Sequence, residues 1–140
     1  MDIQLCTIDD ELKAVLKKFR FRKEKNNAAV IMKIDMKSRQ VVVEDELEDV
    51  TIEDVAEELP EFSPRYIAYS YCHHHADGRF SVPLMFIYYC PGGVKPDQNM
   101  LYASTKTAVV NEINITKVFE VRSAEEMTEE WMKRRLNFFD

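Results

Sequence analysis

The sequence predicts a single α/β domain whose sheet is covered on both faces, and three observations carry that expectation. Segments 66–74 and 80–89 flank an Asp77-Gly78 turn, the pattern of a β-hairpin. Both strands are apolar on either side: Ile67, Tyr69 and Tyr71 alternate with Tyr66 and Ala68, and Leu84, Phe86 and Tyr88 with Met85, Ile87 and Tyr89. Such strands lie between two layers. Helical segments stand before, between and after the strands, the longest over 95–112, so both faces can be covered.

Taken in order, Ile8, Leu12, Val15, Leu16 and Phe19 fall on one face of a helix over 8–20. Thr7 or Asp9 is placed to cap it, and Asp10 and Glu11 suit the positive end of its dipole. The alternating run Phe19-Arg20-Phe21-Arg22-Lys23 follows, then a polar turn at Lys25-Asn26-Asn27. Segments 28–35 (AAVIMKID) and 40–44 (QVVVE) read as two strands, with 36–39 as a hairpin link. The acidic run 44–49 is expected to leave the sheet. Thr51-Ile52-Glu53-Asp54 has the form of a capping box with Asp in place of Glu. It opens a short helix that carries Ile52, Val55 and Leu59 and stops before Pro60.

With Asp77 and Gly78 as the whole hairpin loop, Ala76 pairs with Arg79, Cys72 lies opposite Pro83 and Cys90 opposite Arg65. Cys72 and Cys90 are then too far apart to bond. Segment 95–112 follows the loop Pro91-Gly92-Gly93. Pro96 suits the first turn of a helix and Asp97 its positive end, and about four turns follow, on the order of 25 Å. Leu101, Ala108 and Val109 cluster on one side of this helix, while Met100, Ala103 and Val110 lie partly round the other. A surface helix has a narrower stripe. One face is therefore expected to pack on the domain and another to be offered to a partner. A fifth strand at 117–121 precedes a final helix. Ser123 with Glu126, or Thr128, starts that helix, and Met127, Trp131, Met132 and Leu136 form its apolar side.

At 140 residues, 46% hydrophobic and 31% charged, the chain suits one domain spanning 1–140. No repeat, low-complexity tract or linker interrupts it. No apolar run approaches the roughly 20 residues of a membrane span, and no signal-peptide pattern opens the chain. A cytosolic protein with no membrane partner is expected. A net charge of −6 argues against nucleic acid as a partner. Cys6, Cys72 and Cys90, odd in number and irregular in spacing, read as free buried thiols.

The run His73-His74-His75 is where a metal centre would be sought first, since His73 and His75 share one face of a strand. A catalytic zinc needs three protein ligands. No HExxH or CxxC accompanies the run, and solvated histidines at a polar turn are the simpler reading. Cys72 and His73 are adjacent on a strand and point to opposite faces, so they do not pair as nucleophile and base. GxSxG, GxGxxG and phosphate-loop patterns are absent. The chain reads as a non-enzyme without metal, cofactor or catalytic residues, with a His-site metalloenzyme as the remote alternative. In the basic-aromatic run, either Phe19 and Phe21 are core while Arg20 and Arg22 reach water, or the rings hold Arg20, Arg22 and Lys23 as a pre-ordered ridge for an acidic protein surface.

Met100-Leu101-Tyr102-Ala103-Ser104-Thr105-Lys106 is similar to the long actin-facing helix of the actin-depolymerising-factor (cofilin) homology domain. Thr128-Glu129-Glu130-Trp131 is similar to that family's last helix. Stretches 16–23 (LKKFRFRK) and 26–35 (NNAAVIMKID) resemble the glia-maturation-factor branch of the family. So do Glu58-Leu59-Pro60, Pro64-Arg65-Tyr66, Asp77-Gly78-Arg79 and Lys117-Val118-Phe119-Glu120-Val121, which extends the resemblance over nearly the whole chain.

The resemblance implies a cofilin-like fold, a mixed central sheet with helices packed on both faces. It also implies a monomer at branched actin networks such as the leading-edge cortex, with the nucleus as a second location. The implied partners are the actin-related protein 2/3 complex and actin at branch junctions. The implied activities are inhibition of nucleation and debranching of filaments, with cofilin-like binding and severing of actin itself as the alternative. The long helix, through Asp97, Asn99, Met100, Ser104, Thr105 and Lys106, is expected to dock in the barbed-end groove of an actin-related subunit. Arg20, Arg22 and Lys23 form the second surface, towards a neighbouring subunit or the first daughter-filament actin. Actin-binding relatives carry lysines just before the Met-Leu-Tyr motif, where this chain has Asp97 and Asn99. Losing two cations against acidic actin weakens binding there, by about 1 kcal/mol each at an exposed rim. Relatives often have a regulatory serine near the start. This chain begins Met1-Asp2-Ile3-Gln4 and has no serine before Ser38, so the resemblance does not extend to phosphorylation control at that point.

Overall fold

The strand over residues 28–35 is apolar almost throughout and forms the middle of a sheet. This strand, β2 (Ala28–Asp35), pairs antiparallel with β3 (Gln40–Glu48) on one side and with β4 (Arg65–Ser70) on the other. β4 pairs antiparallel with β7 (Leu84–Tyr89). Two parallel edge strands complete the sheet: β1 (Thr7–Ile8) beside β3, and β8 (Val118–Val121) beside β7. The order β1-β3-β2-β4-β7-β8 is that of a mixed sheet. These features come from a computed structural model that describes residues 6–139. The start Met1-Asp2-Ile3-Gln4 lies outside the described residues.

Strand alternation sends successive side chains to opposite layers. Val30, Met32, Tyr66, Ala68, Phe86 and Tyr88 meet α1 (Asp10–Arg20) and α3 (Pro96–Ile113) through Leu12, Leu16, Phe19, Leu101, Val109 and Ile113. On the other face Ala29, Ile31, Ile67, Tyr69, Met85 and Ile87 meet α2 (Ile52–Glu57) and α4 (Glu129–Arg135) through Ile52, Val55, Met132 and Leu136. Because β7 and β8 are parallel neighbours, α3 is the crossover that joins them. Among the described residues no helix is long and apolar enough to cross a membrane.

Both capping boxes form. Thr51 Oγ1 accepts from the Asp54 N–H at 3.0 Å, and the Asp54 carboxylate accepts from the Thr51 N–H at 3.1 Å. Ser123 and Glu126 cap a 3-10 turn, Ala124–Glu126, and Thr128 caps α4 through the Trp131 N–H at 3.1 Å.

Three expectations are corrected by the fold. The first helix starts at Asp10 rather than at residue 8, because Thr7 and Ile8 pair with Gln40 and Val41. Asp9 takes the N-cap position without a side-chain bond.

The acidic run does not leave the sheet. β3 continues through Glu48, with Ile31 opposite Asp45 and Met32 opposite Val43, so Glu44 is the extra residue of a β-bulge. That bulge aims Glu44 at Arg65, whose Nε donates to it at 2.6 Å and Nη2 at 3.3 Å. β1 pairs only with Gln40 and Val41, so the rest of β3 has no described strand on its outer side, and charge is well tolerated along such an unpaired edge.

The hairpin register is shifted by one. His75 N–H donates to Arg79 O at 2.8 Å and Tyr89 lies opposite Arg65. The loop is therefore Ala76-Asp77-Gly78, with Gly78 at φ +93°, where only glycine is unstrained. The ladder breaks at Pro83, which has no N–H to return to Tyr71. Beyond the break β5 (His73–His74) and β6 (Phe80–Ser81) form a separate ribbon.

Candidate docking face on the long helix

Pro96 opens α3 as predicted, and Asn114 closes it in the left-handed conformation, its N–H donating to Val110 O at 2.9 Å. The helix is seated by tyrosines. Tyr102 Oη accepts the Ile34 N–H at 2.9 Å, and the Tyr66 hydroxyl donates to the Tyr102 carbonyl. The Tyr66 and Tyr102 rings lie 5.3 Å apart. Burial is the main cause that raises the pKa of both hydroxyls above the ordinary phenol value. Leu101, Thr105, Val109 and Ile113 recur every four residues and form the buried stripe with Tyr102.

The opposite side is open. Asp97, Asn99, Ala103, Ser104 and Thr107 are exposed, and Met100 is 57% exposed. Ser104 Oγ turns back to the Leu101 carbonyl at 3.1 Å, and Asn99 Oδ1 accepts from Cys90 Sγ at 3.1 Å. Lys106 is half-buried and lays its Nζ over the Tyr88 ring, 5.6 Å from the centroid. Of the six helix residues expected on this face, Thr105 is a correction. It is fully buried, and its hydroxyl has no hydrogen-bond partner. The four-residue spacing from Leu101 puts it in the core stripe.

The second surface also changes. Arg20 and Lys23 are exposed, but Arg22 is not part of a ridge. Its side chain is 7% exposed and is held by the Asn26 carbonyl at 2.9 Å, Glu48 at 3.1 Å and Ser70 Oγ at 3.3 Å. Phe19 is core, as one reading expected, whereas Phe21 is 63% exposed. Arg20 sits over the Phe21 ring at 5.3 Å. Lys13, Lys17, Arg20, Phe21 and Glu112 line a groove between α1 and the end of α3. Both readings of the basic-aromatic run expected Phe21 to be buried with Phe19, so its exposure is a correction.

The histidines are not simply solvated. His73 is buried, stacked on Phe138 with centroids 4.3 Å apart, and its Nδ1 lies 3.2 Å from Tyr71 Oη. His75 Nε2 lies 2.8 Å from Ser81 Oγ. Cys72 Sγ faces His74 Nε2 at 3.9 Å rather than His73. Among the described residues no group of three or more His, Cys, Asp or Glu side chains is placed to hold a metal ion.

A mixed sheet between two helical layers, with its crossover helix half-buried and half-open, defines the class. The chain belongs to the cofilin/tropomyosin-type actin-binding protein family, whose sequence profile matches residues 5–137. It is an actin-regulatory domain of the actin-depolymerising-factor homology type.

Within that family it is 50% identical to glia maturation factor beta of Homo sapiens over 135 residues, which cover 96% of this chain and 95% of that protein. It is 42% identical to glia maturation factor of Drosophila melanogaster over 135 residues, covering 96% and 98%. The solution structure of glia maturation factor from Caenorhabditis elegans superposes with a TM-score of 0.81 at 41% identity, covering 96% of this chain and 97% of that one.

Proposed function

We propose that this protein binds the actin-related protein 2/3 complex, restrains its nucleation of actin and promotes the removal of existing branches. Met100 carries the reading. It is an apolar side chain 57% exposed on the outer face of a helix whose inner face is sealed in the core. A flexible methionine ringed by polar residues is suited to filling a pocket on a partner. Asp97, Asn99 and Ser104 stand round it, with Lys106 at the rim. Likeness to glia maturation factors supports the choice of partner. Asp97 and Asn99, where actin-binding relatives carry lysine, weigh against strong binding to actin itself.

The protein acts by occupying surface and not by chemistry, at branched actin networks. The second surface is the end of α1, where Arg20 and Lys23 flank exposed Phe21. It faces a neighbouring subunit or the first actin of the daughter filament. The experiment is direct observation of branched filaments. With the protein present, branches are expected to detach sooner and fewer new ones to form. Unchanged branch lifetimes and branch numbers would remove the reading. Severing of unbranched filaments in its place would support the cofilin-like alternative.

A further inference from the structure

Cys6 and Cys72 are buried, whereas Cys90 is half-buried. Cys90 directly follows β7 and its N–H donates to Val121 O at 2.9 Å, so strand alternation continues through it. The alternation places its side chain on the same face as Phe86 and Tyr88, under α3. There the thiol donates to Asn99 Oδ1 at 3.1 Å, in the first turns of the open helix. Tyr88 is 4% exposed, and its hydroxyl has no hydrogen-bond acceptor in good geometry. Burial first, and the neighbouring Cys90 sulfur second, push that hydroxyl above the ordinary phenol pKa. A buried donor without an acceptor is rare, and thiol sulfur is only a weak acceptor.

We propose that Cys90 is an oxidation site set into the docking face: hydrogen peroxide converts its thiol to a sulfenic acid, the Tyr88 hydroxyl holds the new oxygen, and docking weakens. In the step the sulfur attacks one peroxide oxygen. An S–O bond forms and the O–O bond breaks, and the displaced hydroxide takes the thiol proton and leaves as water. Sulfur is oxidised by two electrons and peroxide is reduced by two. The added oxygen is a stronger acceptor than sulfur, so it satisfies the Tyr88 hydroxyl. It also displaces the thiol proton from Asn99, the residue beside Met100. The loss of docking rests on the function proposed above, while the chemistry at Cys90 does not.

The test treats the reduced full chain with hydrogen peroxide and traps sulfenic acid with dimedone, locating the adduct by peptide mass spectrometry. Cys90 is expected to be labelled in preference to Cys6 and Cys72. Tyr88→Phe, its fold checked by circular dichroism, is expected to lower the Cys90 label roughly threefold or more. Equal labelling of all three cysteines, or an undiminished label in Tyr88→Phe, overturns the site. Oxidised protein is expected to bind the complex roughly tenfold more weakly, and Cys90→Ser is expected to be insensitive to peroxide. A fully labelled protein that binds as before overturns the switch. Reduced protein that never binds overturns the docking reading instead and leaves the labelling result standing.

Discussion

The Tyr66 hydroxyl, on a central strand, donates to the main-chain carbonyl of Tyr102 in the middle of α3. The Tyr102 hydroxyl in turn accepts the N–H of Ile34 at 2.9 Å. The open helix is thereby fixed to two strands of the sheet by polar contacts inside an otherwise apolar layer. Its inner side is anchored at Tyr102, opposite the exposed face that carries Met100.

Tyr66→Phe removes one of these contacts and leaves the helix's own ladder intact. A loss of about 1 kcal/mol is expected, with a fall in melting temperature of roughly 2–5 °C for a domain of this size. Calorimetry measures it. The proposed docking face is unaltered, so affinity for the proposed partner should change little.

All six tyrosines are buried, and burial is the leading cause that raises the pKa of each above 10.0. Tyr71, beside Glu129, is pushed up to about 12. In the unfolded chain these phenols ionise near their ordinary value, while the folded protein keeps its protons. Above that value the unfolded state binds fewer protons, so stability falls as pH rises. The tyrosine contribution is fully present below pH 10 and is lost as pH rises above it. Phenolate absorbance should stay flat until the circular dichroism signal is lost, and a tyrosine titrating at its ordinary value in the folded protein would contradict this.

Arg22→Ala should destabilise the domain by about 2 kcal/mol, since a buried guanidinium gives up charge-assisted bonds to Glu48 and Ser70. Arg20→Ala should stay within about 0.5 kcal/mol, as an exposed residue does. Urea denaturation separates the two. In branching assays Arg20→Ala and Lys23→Ala together are expected to impair debranching more than binding.

Much of this was legible in the sequence because it is local. Pro96 and the 95–112 pattern located α3 within a residue at each end, and Thr51 with Asp54 announced a cap that forms as written. The hairpin lies where the pattern puts it, but each of its two strands divides, at Tyr71-Cys72 and at Val82-Pro83, and a three-residue loop ending in Gly78 moves the register. What failed depends on residues far apart in the chain. Arg22 is buried by partners 26 and 48 residues away, and His73 is covered by Phe138. Thr105 was placed on the open face because a helix with apolar residues on two sides does not say which side the sheet will take. On that helix Met100 and Leu101 are neighbours in sequence and opposite in fate.

Charge at the start of α3 gives another prediction. Asp97→Lys with Asn99→Lys restores the cations of actin-binding relatives and should strengthen binding to actin monomers by about 1 kcal/mol per site. Co-sedimentation and monomer-binding fluorescence at low and high salt would detect it, with the gain fading as salt rises.

The docking claim is tested most directly by measuring the affinity of labelled protein for the purified actin-related protein 2/3 complex, comparing the native chain with Met100→Ala/Lys106→Ala. The expected result is a large loss of affinity in the double variant, with circular dichroism and melting temperature close to native. Equal affinity in a folded variant would contradict the assignment of this face as the docking surface.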